Sequence, residues 1–359
     1  MFGFINISTR QMRERVEQLD GLRGIFSVLV VVHHHNAFKD SIFYNNFFVI
    51  NSSLFVDFFF VLSGFVISMN YIGRINTKQD FFQFVKKRFL RLYPLLFFTE
   101  IVFLTANLVG ENSILKHVSN LGLSYYFLTA LDTLTFMGST PVLGGWIGLN
   151  YPAWSISSEM ISYLVFGLVL LFLPGKKNWA FLIIIILSAL FIIDQKEYLL
   201  TYDYGFIRGL LCFCMGIFTF EVIKKMDFKL SFLEIPYLLL LISAMYFVHH
   251  FELNLWKLVF PFIFSVGIFI FCNSSGIVSQ LLCTRPFQYL GRISYSIYLN
   301  HAIVLIFVNI LLFRLFKSPQ TEWMIGISLL VSITITIIYS HFTYEWIEKR
   351  FGQYLKRKL

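Results

Sequence analysis

The chain has 359 residues, of which 57% are hydrophobic and only 14% are charged. Soluble proteins average about 25% charged residues, and a soluble chain of this size could not keep so much apolar surface away from water. The composition therefore excludes a soluble globular protein and predicts an integral membrane protein. The net charge of +9 does not indicate a nucleic-acid partner, because the basic residues lie between apolar runs.

Ten apolar runs approach or exceed the roughly 20 residues that a membrane-spanning helix needs. They cover residues 22–38, 52–72, 89–110, 154–174, 178–194, 204–223, 233–250, 255–273, 291–314 and 323–346. We therefore predict an all-α helix bundle with about ten transmembrane helices, forming a single membrane domain over residues 1–359 with no appended soluble domain. In the long connection 111–152, the segment Leu121–Met137 is expected to be interfacial or re-entrant, and an eleventh span is the alternative.

The positions of the lysines and arginines indicate the orientation of the chain. With the N-terminus in the cytoplasm, 22 of the 29 basic residues fall in cytoplasmic loops or at cytoplasmic helix ends, and the other seven, Arg208 among them, fall on the outer side. Membrane proteins carry an excess of basic residues on the cytoplasmic side. Both termini are therefore predicted to be cytoplasmic, with membrane lipids around the bundle. The sequence does not indicate an oligomeric state.

The first predicted helix carries two ionisable residues, which are candidates for function because they are costly inside a membrane. Arg23 and His34 are eleven residues apart, so they share one helix face and lie about 16 Å apart along the axis. His34 is a candidate catalytic residue. His33 and His35 point away from that face and are expected to be solvated at the outer interface. The three histidines fan out around the helix and cannot converge on one metal ion, so no metal site is predicted.

Asp57 lies near the outer end of the second predicted helix, at about the depth of His34. A carboxylate beside an imidazole fixes the tautomer of the ring and raises its basicity, as a general base requires. Asp57 is therefore a second candidate catalytic residue. The alternative is an interfacial aspartate exposed to water.

Two arginines lie three residues apart at the cytoplasmic start of the third predicted helix. Arg88 and Arg91 therefore share a face. Guanidinium groups bind phosphates through paired N–H donors, so the two arginines could bind a phosphate-bearing molecule. The alternative is anchoring to anionic lipid.

The fourth predicted helix begins with a polar stripe. Ser155 and Glu159 lie four residues apart, and Ser162 and Tyr163 extend the same face. Polar groups along one face of a membrane helix line a cavity or a polar interface rather than lipid. Glu159 is the costliest member of the stripe and is the third candidate catalytic residue.

The ninth predicted helix carries a similar stripe. Ser294, Tyr298 and His301 follow each other at intervals of four and three residues. His301 is either a structural histidine with its hydrogen bonds satisfied or a residue that lines a cavity.

The ionisable residues are distributed asymmetrically across the predicted bundle. Arginines cluster at the cytoplasmic ends of the helices, while His34, Asp57 and Glu159 fall in the outer half. This distribution favours an enzyme that takes an anionic donor from the cytoplasm and transfers a group to an acceptor near the outer face. A proton-coupled secondary transporter that uses the same side chains as a proton relay is the alternative.

Together these motifs resemble the acyltransferase 3 family of integral membrane acyltransferases, which mostly O-acetylate bacterial surface glycans. The matching segments are Leu19–Gly24 with His34 at the Arg-x10-His spacing, Phe59–Phe65, Arg88–Pro94, Trp154–Glu159, Ser294–His301 and Tyr344–Phe351. They occur in the family's order along nearly the whole chain.

The resemblance implies about ten helices in the bacterial inner membrane and an acyl-CoA donor, usually acetyl-CoA. It implies an essential histidine at His34, functional arginines at Arg23, Arg88 and Arg91, and an acidic residue at Glu159. The acceptor is expected to be a glycan or a lipid-linked saccharide. The residues expected to bind it are Trp154, Ser155, Tyr298 and His301.

The expected reaction is removal of the acceptor's hydroxyl proton by His34, with Asp57 or Glu159 orienting the imidazole. An acyl-histidine intermediate is the other possible route. The chain departs from the family pattern in having three consecutive histidines where one is usual. It also has no hydrolase-like domain before Leu359, so transfer is expected to finish in the membrane domain or on a separate partner.

Overall fold

The computed structural model of the protein describes residues 17–111, 122–144, 147–226 and 228–358. These residues form helices and connecting turns without a β-strand, so the all-α prediction is confirmed. The main helices are α1 Glu17–His33, α2 Phe47–Tyr71, α3 Lys78–Glu111, α4 Gly122–Leu134, α5 Trp154–Phe172, α6 Lys177–Gln195, α7 Gly205–Ile223, α8 Glu234–His250, α9 Phe260–Cys272, α10 Ile277–Leu282, α11 Arg285–Asn309 and α12 Glu322–Thr343. Helix α11 continues through Ile310–Leu315, and α12 continues through Tyr344–Phe351 into α13 Gly352–Lys358.

Nine helices within the described ranges are long and apolar enough to cross a membrane. They correspond to every predicted span after the first. Helix α1 has 17 residues, or about 25 Å of helix, which is at the short end of the range for a span. The residues before Glu17 lie outside the described part of the chain, so the tenth crossing stays a prediction.

Helix α4 forms most of the segment Leu121–Met137, for which the sequence predicts either an interfacial or re-entrant segment or an eleventh span. It has 13 residues and a length of about 20 Å, less than the hydrocarbon core of about 30 Å. The described part of this segment agrees with an interfacial or re-entrant helix, and the choice between that and an eleventh span stays a prediction because residues 112–121 lie outside the described part.

Several predicted helix boundaries differ from the structure by five residues or more, and two of these differences have a clear local cause. Helix α1 ends at His33 rather than at residue 38. The His35 amide donates to the Val32 carbonyl three residues earlier instead of continuing the α-helical pattern, and the short 3-10 turn Asn36–Phe38 follows. Helix α3 begins at Lys78 rather than at residue 89. Its polar start is stabilised by the side chains of Thr77 and Asp80, which accept hydrogen bonds from each other's backbone amides in a capping box.

The contacts within the chain divide it into two compact units. The first unit comprises Met1–Arg74, Gly175–Tyr198 and Leu210–Tyr295, and the second comprises Ile75–Pro174, Leu199–Gly209 and Ser296–Leu359.

Four of the basic residues that indicate the orientation lie outside the described ranges: Arg10, Arg13, Arg15 and Lys116. The orientation of the termini therefore stays a prediction.

Close helix packing in the first unit depends on glycine. A Cβ atom added to Gly24 in α1 would lie 2.6 Å from the backbone nitrogen of Gly291 in α11, and one added to Gly64 in α2 would overlap the carbonyl group of Phe213 in α7. Small residues allow such close approach of membrane helices, where dispersion contacts drive association. The α1–α11 contact positions Arg23.

In the second unit, Asn150 connects the turn before α5 to two other helices. Its side-chain amide donates to the Thr99 hydroxyl in α3 at 3.3 Å and to the Leu299 carbonyl in α11 at 3.1 Å. The Ser158 hydroxyl in α5 donates to the Gly205 carbonyl at the start of α7. These bonds hold together the helix segments that carry the polar residues of this unit.

Candidate active site

Arg23 is held in a fixed position by helix α11 of its own unit. One guanidinium nitrogen donates to the Gly291 carbonyl at 2.7 Å, and Nε donates to the Ser294 hydroxyl at 2.9 Å. The Asp20 carboxylate lies 3.2 Å from the same guanidinium group. The side chain is half-buried. The predicted functional arginine therefore has a defined orientation and a partly compensated charge.

The ring of His34 is oriented by its own helix. Its Nδ1 atom lies 2.9 Å from the Val30 carbonyl oxygen. A carbonyl oxygen only accepts hydrogen bonds, so Nδ1 carries the proton in this contact and, in the neutral ring, Nε2 carries the lone pair. A neutral imidazole with an unprotonated Nε2 is the form that can act as a general base.

His33 and His35 are not the solvated residues that the sequence predicts. His33 is half-buried, and its Nδ1 atom lies 2.9 Å from the Val49 carbonyl oxygen of α2. His35 is only 2% exposed and packs beside the Phe38 ring, with 5.3 Å between the ring centroids. The cause is the early end of α1, after which the chain turns and covers His35. Burial lowers the pKa of His35 to about 4.

Asp57 is fully buried, so the alternative of a water-exposed aspartate is wrong. The Tyr198 hydroxyl donates to Asp57 Oδ2 at 2.8 Å, and Tyr198 is itself fully buried. Tyr198 follows α6 directly after the polar residues Lys196 and Glu197, and no sequence signal links it to a residue 141 positions away. The role of Asp57 in orienting His34 stays a prediction.

In the second unit, the start of α5 brings three of the predicted acceptor-binding residues into one cluster. The Tyr298 hydroxyl donates to the Pro152 carbonyl at 3.2 Å and is also hydrogen-bonded to the Ser155 side chain. The guanidinium carbon of Arg208 lies 5.6 Å from the centre of the Trp154 ring. Arg208 also interacts electrostatically with Tyr298, which links the Arg208–Trp154 pair to the Tyr298–Ser155 pair.

Sequence reasoning missed Arg208. It was counted among the outer basic residues, but its side chain is only 1% exposed and stacks on an aromatic ring inside the second unit. Arg208 is the fourth residue of α7 and begins an apolar run. The rule that selected Arg23 and His34, that an ionisable residue inside a span indicates function, also selects Arg208.

Tyr163 of α5 lies beside a predicted catalytic residue of its own helix and a predicted donor-binding residue of α3. The Tyr163 hydroxyl donates to Glu159 Oε1, and the guanidinium carbon of Arg88 lies 6.0 Å from the centre of the Tyr163 ring. Arg88 and Arg91 both interact electrostatically with this tyrosine. Arg88 is half-buried and Arg91 is exposed. Of the predicted polar stripe on α5, Glu159 and Tyr163 are therefore joined directly, whereas the Ser162 hydroxyl donates to the Ser158 carbonyl of the same helix.

His301 is completely buried beside two tyrosines. Its ring centroid lies 5.9 Å from that of Tyr298 and 6.1 Å from that of Tyr151. Its Nδ1 atom lies 3.3 Å from the Ile297 carbonyl, so the same argument as for His34 assigns the proton to Nδ1. His301 joins the acceptor-binding cluster in packing, which leaves both a structural and a substrate-binding role open.

Each unit thus holds its own chemistry. The first unit contains an imidazole with a defined tautomer, a buried carboxylate and a fixed arginine. The second unit contains two arginines beside a tyrosine–carboxylate pair, and an aromatic cluster with a buried arginine. Base catalysis, binding of an anionic group and stacking on a sugar ring are all within the capacity of these side chains.

Several known proteins are similar to this chain. O-acetyltransferase OatA of Staphylococcus aureus (strain NCTC 8325 / PS 47) is 24% identical, over 92% of this chain and 56% of its own length. Peptidoglycan O-acetyltransferase OatA of Listeria monocytogenes is 24% identical over 82% of this chain and 50% of its own length. Protein 2 in picA locus of Rhizobium radiobacter is 32% identical over 43% of this chain and 82% of its own length.

The chain spans about half the length of the two O-acetyltransferases that it matches. No solved structure matches it significantly. The model of a family described as an acyltransferase domain matches residues 16–341, which include nearly all of both units. This match, the nine membrane-capable helices and the motifs from Arg23 to Tyr298 agree with one another. The chain therefore belongs to the acyltransferase 3 family and is a multi-pass membrane protein.

Proposed function

We propose that this protein is an O-acyltransferase that moves an acyl group, in the first instance acetyl, from cytoplasmic acyl-CoA to a sugar hydroxyl of a lipid-linked or surface polysaccharide. Family membership and the names of the OatA relatives support acyl transfer, and they favour the enzyme over the proton-coupled transporter. The relatives' names also support a glycan acceptor. In this proposal the protein lies in the bacterial inner membrane with both termini in the cytoplasm, the side that the excess of basic residues favours.

The observation that carries the proposal is the bond between His34 Nδ1 and the Val30 carbonyl oxygen. It leaves Nε2 as the basic nitrogen of the neutral ring. In the proposed reaction, His34 Nε2 accepts the hydroxyl proton of the sugar as its oxygen attacks the thioester carbonyl. The new C–O bond forms, the C–S bond breaks, and His34 returns the proton to the departing thiolate. Attack by His34 itself, giving an acyl-histidine, is the second route and uses the same nitrogen.

The donor's phosphates are assigned to Arg88 and Arg91, with Arg23 as a further arginine. Arg88 and Arg91 lie within α3, after its polar first turns, and present two planar guanidinium groups, of which that of Arg91 is exposed and that of Arg88 is half-buried. Arg23 is more constrained, because Gly291 and Ser294 already accept hydrogen bonds from it. We therefore assign the first contacts with phosphate to Arg88 and Arg91.

The acceptor is assigned to Trp154, Ser155, Tyr298 and His301. An indole ring beside hydroxyl groups can stack on the apolar face of a sugar while the hydroxyls bind its polar edge. The Arg208 guanidinium group on the Trp154 ring adds a positive charge that would suit a phosphate-linked saccharide. Glu159 and Asp57 are assigned to the catalytic machinery as the carboxylates that orient or stabilise the charged base.

The proposal is tested with purified protein in liposomes that contain a lipid-linked saccharide extract. Acetyl-CoA labelled in the acetyl group should transfer label to the saccharide, and alkali should release it as acetate because an O-acetyl ester is base-labile. NMR of the surface polysaccharide from cells with and without the protein identifies the position. Absence of label in the saccharide fraction and an unchanged polysaccharide spectrum would refute the proposal.

A further inference from the structure

Two buried carboxylates in the second unit have no part in the proposed function. Glu100 lies in α3 and is completely buried, and Asp132 lies near the end of α4 and is only 1% exposed. Asp132 is the charged neighbour that acts electrostatically on Glu100. Two negative charges close together in a membrane protein are unfavourable unless something neutralises them.

Several buried side-chain oxygens on this pair and on the segments that contact its helices lack hydrogen-bond partners among the described residues. Both carboxylate oxygens of Glu100, Oδ1 of Asp132, Oδ1 of Asn150 and the hydroxyl oxygen of Ser157 are buried without one. Buried polar atoms in folded proteins are normally satisfied, so several unsatisfied oxygens in one region indicate that a ligand or water belongs there.

The orientation of Asn150 is not arbitrary. Its amide nitrogen donates to the Leu299 carbonyl, which can only accept, so the nitrogen and the oxygen of the amide are assigned by this bond. A second bond joins the same nitrogen to Thr99, the residue before Glu100. The unsatisfied Asn150 oxygen is therefore held in place by the helix that carries Glu100.

A small space beside Asp132 faces two of these side chains. A Cβ atom added to Gly138 would lie 3.4 Å from the Ser157 hydroxyl oxygen and 3.6 Å from Asp132 Oδ2. These are ordinary van der Waals distances, so the position is open enough for one small atom. The Asp132 carboxylate and the Ser157 hydroxyl therefore lie on the same side of Gly138, where a methyl group would contact both.

We propose that Glu100 and Asp132 bind one calcium ion, with the Asn150 and Ser157 oxygens as further ligands. The available groups are all oxygens, which hard cations prefer, and no histidine or cysteine is among them, as zinc or copper would require. Two carboxylates match the charge of a divalent ion. Magnesium usually keeps several waters in an octahedral shell, whereas calcium accepts irregular sets of protein oxygens in a site as buried as this one.

Amide and hydroxyl ligands are needed at this site. Within the described ranges, no three His, Cys, Asp or Glu side chains come together in a way that could hold a metal ion. The proposed site is of another kind, because it combines two carboxylates with an amide and a hydroxyl oxygen. The sequence predicts no metal site, because the spacing of these four residues matches no metal-binding pattern. The proposed calcium site is independent of acyl transfer, so it is tested without any enzymatic assay.

Equilibrium dialysis of the detergent-purified chain against radioactive calcium, after removal of divalent ions with EGTA, measures the stoichiometry. We expect one calcium ion per chain and a higher melting temperature in calcium than in EGTA, since a ligand that binds only the folded state stabilises it. Magnesium at the same concentration should have little effect. Glu100→Gln should weaken calcium binding by at least about 100-fold, because affinity depends on the number of charged ligands.

Two milder variants keep the test decisive if Glu100→Gln does not fold. Ser157→Ala removes a hydroxyl that has no hydrogen-bond partner in the described part of the chain, and Gly138→Ala places a methyl group at ordinary contact distances from Ser157 and Asp132. Both should melt like the wild type in EGTA but lose most of the stabilisation by calcium. The control Asp194→Asn, at an exposed carboxylate at the end of α6, should retain all of it.

The opposite results would overturn the calcium site. They are no stoichiometric binding, melting temperatures that are equal in calcium and EGTA, and a Glu100→Gln variant that melts higher than the wild type. In that case protons neutralise the Glu100–Asp132 pair.

Discussion

The imidazole of His34 donates from Nδ1 to the carbonyl oxygen of Val30, four residues earlier in α1, at 2.9 Å. The helix itself therefore selects the tautomer of the proposed base, without help from a carboxylate at Nδ1. A catalytic histidine usually has its tautomer set by the hydrogen bond at its second nitrogen. We therefore expect Asp57, which lies in the same unit, to stabilise the imidazolium electrostatically rather than to select the tautomer.

The orientation of the chain predicts which loops an outside reagent reaches. In a variant without the native cysteines, Cys introduced at Glu197 should react with a membrane-impermeant maleimide in intact cells. Cys introduced at Lys176 or Lys224 should react only after the membrane is permeabilised. All three positions are exposed, so lack of labelling would reflect the membrane and not burial. The reverse pattern would place the proposed donor arginines on the wrong side.

The Tyr163 contacts predict a separation between binding and turnover. Tyr163→Phe removes the hydroxyl that donates to Glu159 but keeps the ring beside Arg88. A hydrogen bond to a charged group is worth about 1.5–3 kcal/mol, so kcat should fall at least about tenfold while the KM for acyl-CoA changes little. Arg88→Ala should instead raise the KM for acyl-CoA, and Arg88→Lys should restore it only in part because an ammonium group is not a planar fork.

Initial rates at varied acyl-CoA concentration separate these effects. Wild-type kcat in Tyr163→Phe would show that the bond to Glu159 has no role in the reaction. Wild-type KM in Arg88→Ala would show that Arg88 is an anchor to lipid.

The bond between Tyr198 and Asp57 predicts a loss of stability. Tyr198→Phe leaves a buried carboxylate with one donor fewer, which should lower the free energy of unfolding by about 1–3 kcal/mol. Thermal unfolding in detergent measures the change. Tyr246→Phe is the matched control, because Tyr246 is half exposed in the same unit, and it should melt like the wild type. Equal melting of both variants would mean that the Tyr198 hydroxyl contributes nothing to Asp57.

Burial of His35 predicts a dependence of stability on pH. The pKa of His35 is lowered from 6.5 to about 4 in the folded chain because burial disfavours the charged form. Between these two values the unfolded chain binds more protons, so acidification from about pH 6.5 to about pH 4 should destabilise the fold. His35→Phe should reduce the slope of melting temperature against pH in this window. His250→Phe, at an exposed histidine, should not, and equal slopes in wild type and His35→Phe would contradict the assignment.

The sequence predicts the helices well because lipid leaves few alternatives. A run of about 20 apolar residues must form a helix to satisfy its backbone, and all nine spans after the first follow that rule. Boundaries are less predictable where polar residues decide them. The capping box at Thr77 and Asp80 extends α3 by several turns, and a tight turn after His33 shortens α1.

Residues of the site were predictable when one helix face carried them and unpredictable when distant segments met. Tyr163 and Glu159 are one turn apart and were expected on one face. The contact of Asp57 with Tyr198 depends on the packing of α2 against a loop far along the chain. A single sequence does not show which distant segments pack together. Arg208 and Glu100 differ from Tyr198 in this respect. Both are ionisable residues inside a span, and the rule that such residues are costly selects them from the sequence alone.

The most direct test of the central claim is the rate of acetyl transfer in liposomes by three single histidine variants. The account predicts that His34→Ala loses about 10²–10⁴-fold in rate, the range for removal of a general base, while protein level and acyl-CoA binding stay near those of the wild type. His33→Ala is the matched control, since His33 is the neighbouring residue and its Nδ1 also contacts a backbone carbonyl, that of Val49 in α2, and it should keep most of the activity, as should His35→Ala. An active His34→Ala variant beside an inactive His33→Ala or His35→Ala variant would contradict the assignment of His34 as the base.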